Sequence, residues 1–399
     1  MKKIKFQKFL PKNKFKKNVF KKKQFDSLIK DIEKNLSLKK NVFHSFSKNF
    51  HLNINLNELR KFKTKYKRII IIGMGGSILS SEAIYCFFKE KIKKKLIFID
   101  NLDEVKIKNL KKEKNLKNSL FILISKSGNT IETLAVIESL NQAKLNEKNT
   151  VIITENKKSE LSSYARKKNI KMIYHRNYIG GRYSVLSETG IIPAYLMGLN
   201  INRLRKNILY YLNKDPDELK NNLIHMLKIY SSKNINSLIL LNYCPKLNFF
   251  MSWIKQLIAE SLGKKGKGLI PISSTAPMDH HSLLQLYLEG PKDKFFYIFS
   301  NKINKSKKNL NKNFSNKLHN ANISQVKKAQ KEALVRVLKD KGIPFMEIEI
   351  NKVEEETLGQ LFSYFIFETV LIGKKLSINP YDQPAVEEVK LLTKKILLN

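Results

Sequence analysis

The chain has 399 residues, 42% of them hydrophobic, with two cysteines and 76 Lys+Arg against 34 Asp+Glu, a formal net charge of +42. That length and apolar fraction support a large core divided over two domains. Two cysteines exclude a disulfide framework, the basic N-terminus lacks the apolar core of a secretion signal, and no stretch reaches the ~20 apolar residues of a membrane span, so a cytoplasmic protein is expected.

The charge would ordinarily point to nucleic acid. All but eight of the basic residues are Lys, however, and they run along the whole chain. Base-edge and bidentate phosphate recognition favour Arg. Asn, Ile and Phe are also abundant, as an A/T-rich coding bias would produce, and the excess charge is read as compositional, on solvated faces rather than on a nucleic-acid surface.

In chain order, residues 1–45 form a basic N-terminal segment in which Lys alternates with Phe6, Phe9, Phe15 and Phe20. It is expected to lay the Phe rings on the domain and leave the lysines in water; an arm for an anionic surface is the alternative. Residues 46–200 read as a first α/β domain. "RIIIIGMGGSILSSEAIYCFF" is strand, glycine turn and helix; "KLIFID" is a strand; "SLFILISKSGNTIETLAVIESL" is strand, polar turn and helix; "TVIIT" is a strand. Such units build parallel sheets. The pattern restarts over 201–382 with strands "NSLILLNY", "KFFYIFS" and "PFMEIEI" separated by helices, and a terminal helix follows over 383–399. Lysine-rich 301–320 is expected to be a surface connection.

Several stretches could carry chemistry. Gly73, Gly75 and Gly76 of "GMGGSILSS" permit a tight turn into a helix N-terminus that can meet an anion or hydroxyl, but the G-x-G-x-x-G spacing of a dinucleotide fold is broken. "SKSGNTIET" sets Ser125, Ser127, Thr130 and Thr133 around one glycine at a strand-to-helix turn, a cradle for a phosphate monoester; one N-cap would explain one hydroxyl, not four. In "IGGRYSVLS", a chain that otherwise writes Lys has placed Arg182 after two glycines. A guanidinium stays charged in a dry site and holds two oxygens in fixed directions, which an ammonium cannot do. In "FFMSWIKQLIAESLGK", Gln256 and Glu260 share a helical face with Phe249 and Trp253, so the carboxylate is expected among aromatic neighbours. Adjacent His280 and His281 have no metal-ligand spacing, and a metal site is not expected.

Together "GMGGS", "SKSGNTIET", "GGRYSVLS", "AESLGK", "DHHSLLQL" and "NPYDQPAVEEVK" resemble, in order and spacing, the motifs of the glucose-6-phosphate isomerase family, bacterial type. The resemblance spans residues 73 to 390. It implies two tandem sugar-isomerase domains, each a parallel sheet flanked by helices in a three-layer α-β-α sandwich, working without cofactor or metal as a homodimer with a shared active site. The substrate would be a sugar phosphate, with glucose 6-phosphate and fructose 6-phosphate interconverted through an enediolate.

Position by position, it implies that Ser125, the Lys126 backbone, Ser127, Thr130 and Thr133 hold the phosphate, that Gly76 and Ser77 line the sugar, and that Gln383 lies near the phosphate end. Glu260 would be the base, with Gln256 beside it; Arg182 would steady the enediolate; His281 and Lys390 would open the pyranose ring. Three positions depart from the pattern: Ala385 and Val389 stand where Gly is usual, and Glu188 adds an acid after "SVLS". The alternatives are a bifunctional glucose/mannose-6-phosphate isomerase and a non-catalytic sugar-phosphate-binding protein of the same fold.

Overall fold

A computed structural model of the chain describes residues 2–11, 15, 20–113, 115–140, 145–302 and 321–398. Most of the lysine-rich 301–320 stretch, read from sequence as a surface connection, lies outside the described residues.

The first sheet is built from β2 (Arg68–Gly73), β3 (Lys95–Ile99), β4 (Ser119–Ile124), β5 (Thr150–Glu155) and β6 (Lys171–His175) in the order β3-β2-β4-β5-β6, all parallel. Four consecutive isoleucines in β2 show why. Ile69 and Ile71 enter one apolar cluster, Ile70 and Ile72 another on the opposite face, and a strand buried on both faces belongs in a helix-covered parallel sheet. Helix α1 (Leu79–Phe88) follows β2, α2 (Ile131–Ser139) follows β4, and α3 (Glu188–Met197) lies beyond β6.

The second sheet contains β7 (Ser237–Asn242), β8 (Ile270–Thr275), β9 (Lys294–Asn301) and β10 (Phe345–Ile350). It carries helices α4 (Asn248–Leu262), α5 (Ile323–Asp340) and α6 (Glu355–Lys375). Its order is β1-β10-β9-β7-β8, where β1 is Ile4–Phe9 from the N-terminal segment, paired antiparallel with β10 in the register Ile4↔Ile350 to Phe9↔Phe345. This strand was not anticipated from sequence. The Phe expectation is met, since Phe6 packs 4.6 Å from Tyr364 and Phe9 5.6 Å from Phe345. The lysines are more engaged than expected: Lys8 Nζ donates to Asn222 Oδ1 at 2.5 Å and Lys2 pairs with Asp215 at 2.7 Å.

The inner faces of both sheets share one core, joined by α1, α4 and α6. Phe295, Tyr297 and Phe299 of β9 point into it, while Phe296 and Ile298 face the outer cluster under α5. Helix α6 is buried along nearly its whole length and carries Glu368, whose carboxylate accepts from Tyr297 Oη at 2.8 Å and Tyr364 Oη at 2.7 Å. Burial pushes the Glu368 carboxyl up to about 7, and burial with the nearby Asp100 does the same for Glu82 on α1. The final helix α7 (Pro384–Leu398) is different: Val389, Leu391 and Ile396 are each about two-thirds exposed. No described helix is long and apolar enough to cross a membrane.

Candidate active site

In the first sheet the chain proceeds from β2 to β3 on one side and from β4 to β5 on the other, so the strand order reverses between β2 and β4. In parallel α/β sheets, the carboxyl ends of the strands at such a reversal leave a crevice where ligands bind. The turn Gly75–Ser77 follows β2 at this place, and "SKSGNT" follows β4.

The turn after β4 is an array of hydroxyls. Ser125 Oγ lies 2.9 Å from Thr130 Oγ1, Ser127 Oγ lies 3.4 Å from the same atom, and the Gly128 amide donates to Ser125 Oγ at 3.1 Å. Gly128 has φ +70, and a Cβ there would stand 2.1 Å from Ser159 Oγ, so only glycine fits. Thr130 is the N-cap of α2 but its side chain makes no capping bond, and Thr133 Oγ1 is buried without a hydrogen-bond partner. Hydroxyls and uncapped helix amides therefore face the same turn, a combination suited to a phosphate. The Lys126 ammonium is turned away, donating to the Asn177 carbonyl at 2.8 Å and lying 3.6 Å from Glu155. Burial lowers its pKa. What Lys126 can offer the turn is its backbone.

Arg182 stands in the turn Gly181–Leu186 after β6 and is 2% exposed. Every nitrogen of its guanidinium is directed. Nε donates to Ser261 Oγ at 2.8 Å; Nη1 donates to Glu260 Oε2 at 3.1 Å and Gln383 Oε1 at 2.5 Å; Nη2 donates to the carbonyls of Pro380 at 2.7 Å and Asp382 at 3.0 Å. A point charge could not satisfy that set, which is the need anticipated from an Arg at this place in a lysine-rich chain. Its loop also presses on the β2 turn. A Cβ on Gly76 would come 2.3 Å from the carbonyl carbon of Gly181, and one on Gly75 would meet Gln256 Nε2 at 3.0 Å.

Helix α4 packs against α1 and so delivers second-sheet residues to the first-sheet crevice. Gln256 Nε2 donates to Glu260 Oε1 at 2.8 Å, leaving the carboxylate held by Gln256 on one oxygen and Arg182 on the other. The expected aromatic setting of Glu260 is not found. Trp253 turns into the core against Phe250 and Phe362, while the Glu260 side chain is 30% exposed and rests in a polar network. Beyond α4, Lys264 Nζ donates to the carbonyls of Asn379 and Asp382 at 2.5 and 2.6 Å and pairs with the Asp382 carboxylate at 2.7 Å. That hydrogen bond holds the Asp382 carboxyl below its usual range and seats the "NPYDQP" turn on Arg182.

The structure thus brings Arg182, Glu260, Gln256 and Gln383 together beside Gly76. It does not bring His281 or Lys390 to them within one chain. His281 is exposed in a short turn after β8, whereas His280 is tied to Tyr243 Oη at 2.6 Å. Lys390 Nζ donates to Glu387 Oε1 at 2.7 Å on exposed α7. Sequence reasoning missed Ser261, Tyr183 and the Pro380 carbonyl; Tyr183 Oη contacts both of the others, at 2.8 and 2.7 Å. Backbone acceptors leave no residue-type signal. Among the described residues, no group of three or more His, Cys, Asp or Glu could hold a metal ion.

The chain is similar to known proteins along most of its length. The family model for phosphoglucose isomerase matches residues 21–399. The glucose-6-phosphate isomerase of Methanocaldococcus jannaschii is 32% identical over 356 residues, covering 85% of this chain and 87% of that protein. That of Campylobacter jejuni is 33% identical over 356 residues, covering 84% and 86%. Among solved structures, a hypothetical protein from Thermus thermophilus superposes with a TM-score of 0.80 at 24% identity, covering 95% of this chain and 96% of that one. A glucose-6-phosphate isomerase from Chlamydia trachomatis superposes at 0.78 with 18% identity, covering 94% and 84%. With the family model spanning nearly the whole chain and relatives above 30% identity aligned along most of it, the chain belongs to the phosphoglucose isomerase family.

Proposed function

We propose that the protein interconverts glucose 6-phosphate and fructose 6-phosphate by proton transfer through an enediolate. The observation that carries this reading is the Glu260–Arg182 pair, a carboxylate and a fully directed guanidinium 3.1 Å apart at the carboxyl edge of the first sheet. Isomerisation needs a base at a carbon-bound proton and a cation at the oxygen that gains charge. When Glu260 takes the C2 proton, the carboxylate loses the charge that the substrate oxygen acquires. Arg182, already 3.1 Å from Glu260, stands within reach of both ends of that transfer, so the crevice keeps its net charge during the step. Glu260 then returns the proton at C1 while the O2 hydroxyl proton passes to O1, which leaves the carbonyl at C2. Ser125, the Lys126 backbone, Ser127, Thr130 and Thr133 would hold the phosphate and fix which carbon meets the base, with Gly76, Ser77 and Gln256 against the sugar and Gln383 positioning Arg182.

His281 and Lys390 are assigned ring opening, with His281 supplied by a second copy in a dimer that shares its active sites. The support is local. The β8 edge beside the His281 turn exposes Ile270 at 66% and Ile272 at 39%, and Met278 in that turn is 66% exposed. A partner covering this edge would bury apolar surface otherwise left in water.

The test is glucose 6-phosphate formation from fructose 6-phosphate, followed by a coupled dehydrogenase, with and without chelator. Turnover unaffected by chelator is expected; no turnover by folded protein would overturn the reading.

A further inference from the structure

We infer that Glu188, held by Arg176, is a positioning residue for Arg182, clamping the far end of the turn that carries the guanidinium. The inference rests on the isomerase reading for its kinetic test, but the geometry stands independently.

Glu188 is fully buried at the start of α3, directly after the Arg182 turn. Arg176 Nη1 donates to Glu188 Oε1, which also accepts from the Asn53 amide at 3.2 Å, and His175 Nδ1 lies 3.4 Å from Oε2. Burial by itself would raise the carboxyl pKa; His175 and Arg176 outweigh burial and hold it below the usual range, so the group is an anion. A second guanidinium closes the cluster: Arg205 donates from Nη1 to the Leu186 carbonyl at 2.6 Å and from Nη2 to that of Ser47 at 3.3 Å. Phe50 meets both cations, its ring centre 4.4 Å from Arg176 Cζ and 5.1 Å from Arg205 Cζ.

The choice of residue is the second line of argument. With eight arginines among 76 basic residues, this chain uses Lys wherever a point charge suffices. Arg176, Arg182 and Arg205 all converge on the turn and its two ends, each with two or more directed bonds. Planar, multidentate donors are needed where a backbone must be fixed in direction, not merely neutralised.

Inside the turn the connection is continuous. Ser184 Oγ donates to the Gly181 carbonyl at 2.6 Å and lies 2.5 Å from Thr189 Oγ1, while Ser187 Oγ donates to the Ser184 carbonyl at 2.8 Å. The segment from Gly181 to Thr189 is therefore tied together by side-chain hydrogen bonds along its length. Anchored at Glu188, it sets where Arg182 leaves the backbone.

The experiment measures kcat and KM for fructose 6-phosphate in wild type, Glu188→Gln, Arg182→Lys and the double variant. Glu188→Gln is expected to lower kcat by ~10-fold with KM changed less than ~2-fold, and to lower it less than ~2-fold in the Arg182→Lys background, because the two act through one geometry. Equal losses in both backgrounds, or full kcat in the folded variant, would overturn the inference. Should Glu188→Gln not fold, Arg205→Lys is carried through the same cycle with the same background dependence expected. If the wild type does not isomerise at all, the functional reading fails, and amide exchange decides the positioning role separately. Exchange over 181–187 should rise at least ~10-fold in Glu188→Gln with 125–140 unchanged; unchanged exchange over 181–187 would refute it.

Discussion

Replacing Gly76 by Ala is a stringent test of the crevice geometry, because the backbone itself permits it. Gly76 has no positive φ, so a methyl group meets only what lies across from it. That is the Gly181–Arg182 peptide: 2.3 Å to the Gly181 carbonyl carbon, 2.6 Å to the Arg182 nitrogen and 2.7 Å to the Gly181 oxygen. Ordinary contact begins at 3.4 Å, and no flexible side chain stands there to yield. The two backbones must part by about 1 Å, carrying the root of Arg182 with them, and a displacement of that size at a catalytic group lowers turnover by ~10²-fold. The reciprocal change is the control: a Cβ on Gly181 meets the Gly76 Cα at 3.6 Å and its carbonyl carbon at 3.7 Å, an ordinary contact. Both variants would be assayed for glucose 6-phosphate formation, with a thermal melt to count folded protein. Gly76→Ala should lose ~10²-fold in kcat and Gly181→Ala no more than ~3-fold. Equal impairment of the two, or parental kcat in folded Gly76→Ala, would refute the reasoning.

Glu260→Gln should leave KM nearly unchanged and lower kcat by ~10²-fold or more, as loss of a general base does; parental turnover would remove Glu260 from the chemistry. Arg182→Lys, which keeps the charge but cannot reach Ser261, Gln383 and two carbonyls together, should also lower kcat substantially, and a fully active variant would refute the need for a planar cation. Inactive Glu260→Gln and His281→Ala proteins refolded together should regain activity at about a quarter of all sites if each site is shared between copies, whereas confirmed hybrids without activity would place His281 in its own chain or outside the mechanism. Glu368, raised from 4.5 to about 7, binds a proton in the folded state that the unfolded chain has lost over that interval. Its stabilising contribution is therefore complete below pH ~4.5 and lost as pH rises towards ~7. Melting temperature should fall less steeply over this window in Glu368→Gln than in wild type; Glu82 supplies the same trend, so an unchanged slope in the double Glu82→Gln, Glu368→Gln variant would refute it.

Central strands were legible because burial on both faces leaves an unbroken apolar run, as in β2 and β9. Of the four edge strands only β3, "KLIFI", was read. β1, β6 and β8 were missed: β8 reads "IPISST" and leaves Ile270 exposed, and half of β1, "IKFQKF", is Lys5, Gln7 and Lys8, so neither shows the pattern of a buried strand. The site was legible where chemistry depends on residue type, as with the hydroxyls of "SKSGNT" and the Arg182 that follows two glycines. It was not legible where geometry depends on the partner. Helical spacing put Glu260 on a stripe with Trp253, but that stripe crosses from the core to the crevice mouth, and the Asp382 and Pro380 carbonyls that aim Arg182 could belong to any residue.

The pairing of β1 with β10 sets the order of synthesis against the order of the sheet. Residues 4–9 leave the ribosome long before their hydrogen-bonding partners at 345–350, and the ion pair just outside the ladder, Lys3 to Glu354, joins residues 351 apart. The first sheet, complete by residue 175, can form while translation continues. The second cannot close its edge until β10 has been made, and β1 lacks this partner for that time. Such long-range pairing slows folding and leaves strand edges open in incomplete chains. A nascent chain stopped before residue 345 would therefore present β1 and the β9 edge together, the form in which quality-control proteases and aggregation would find it.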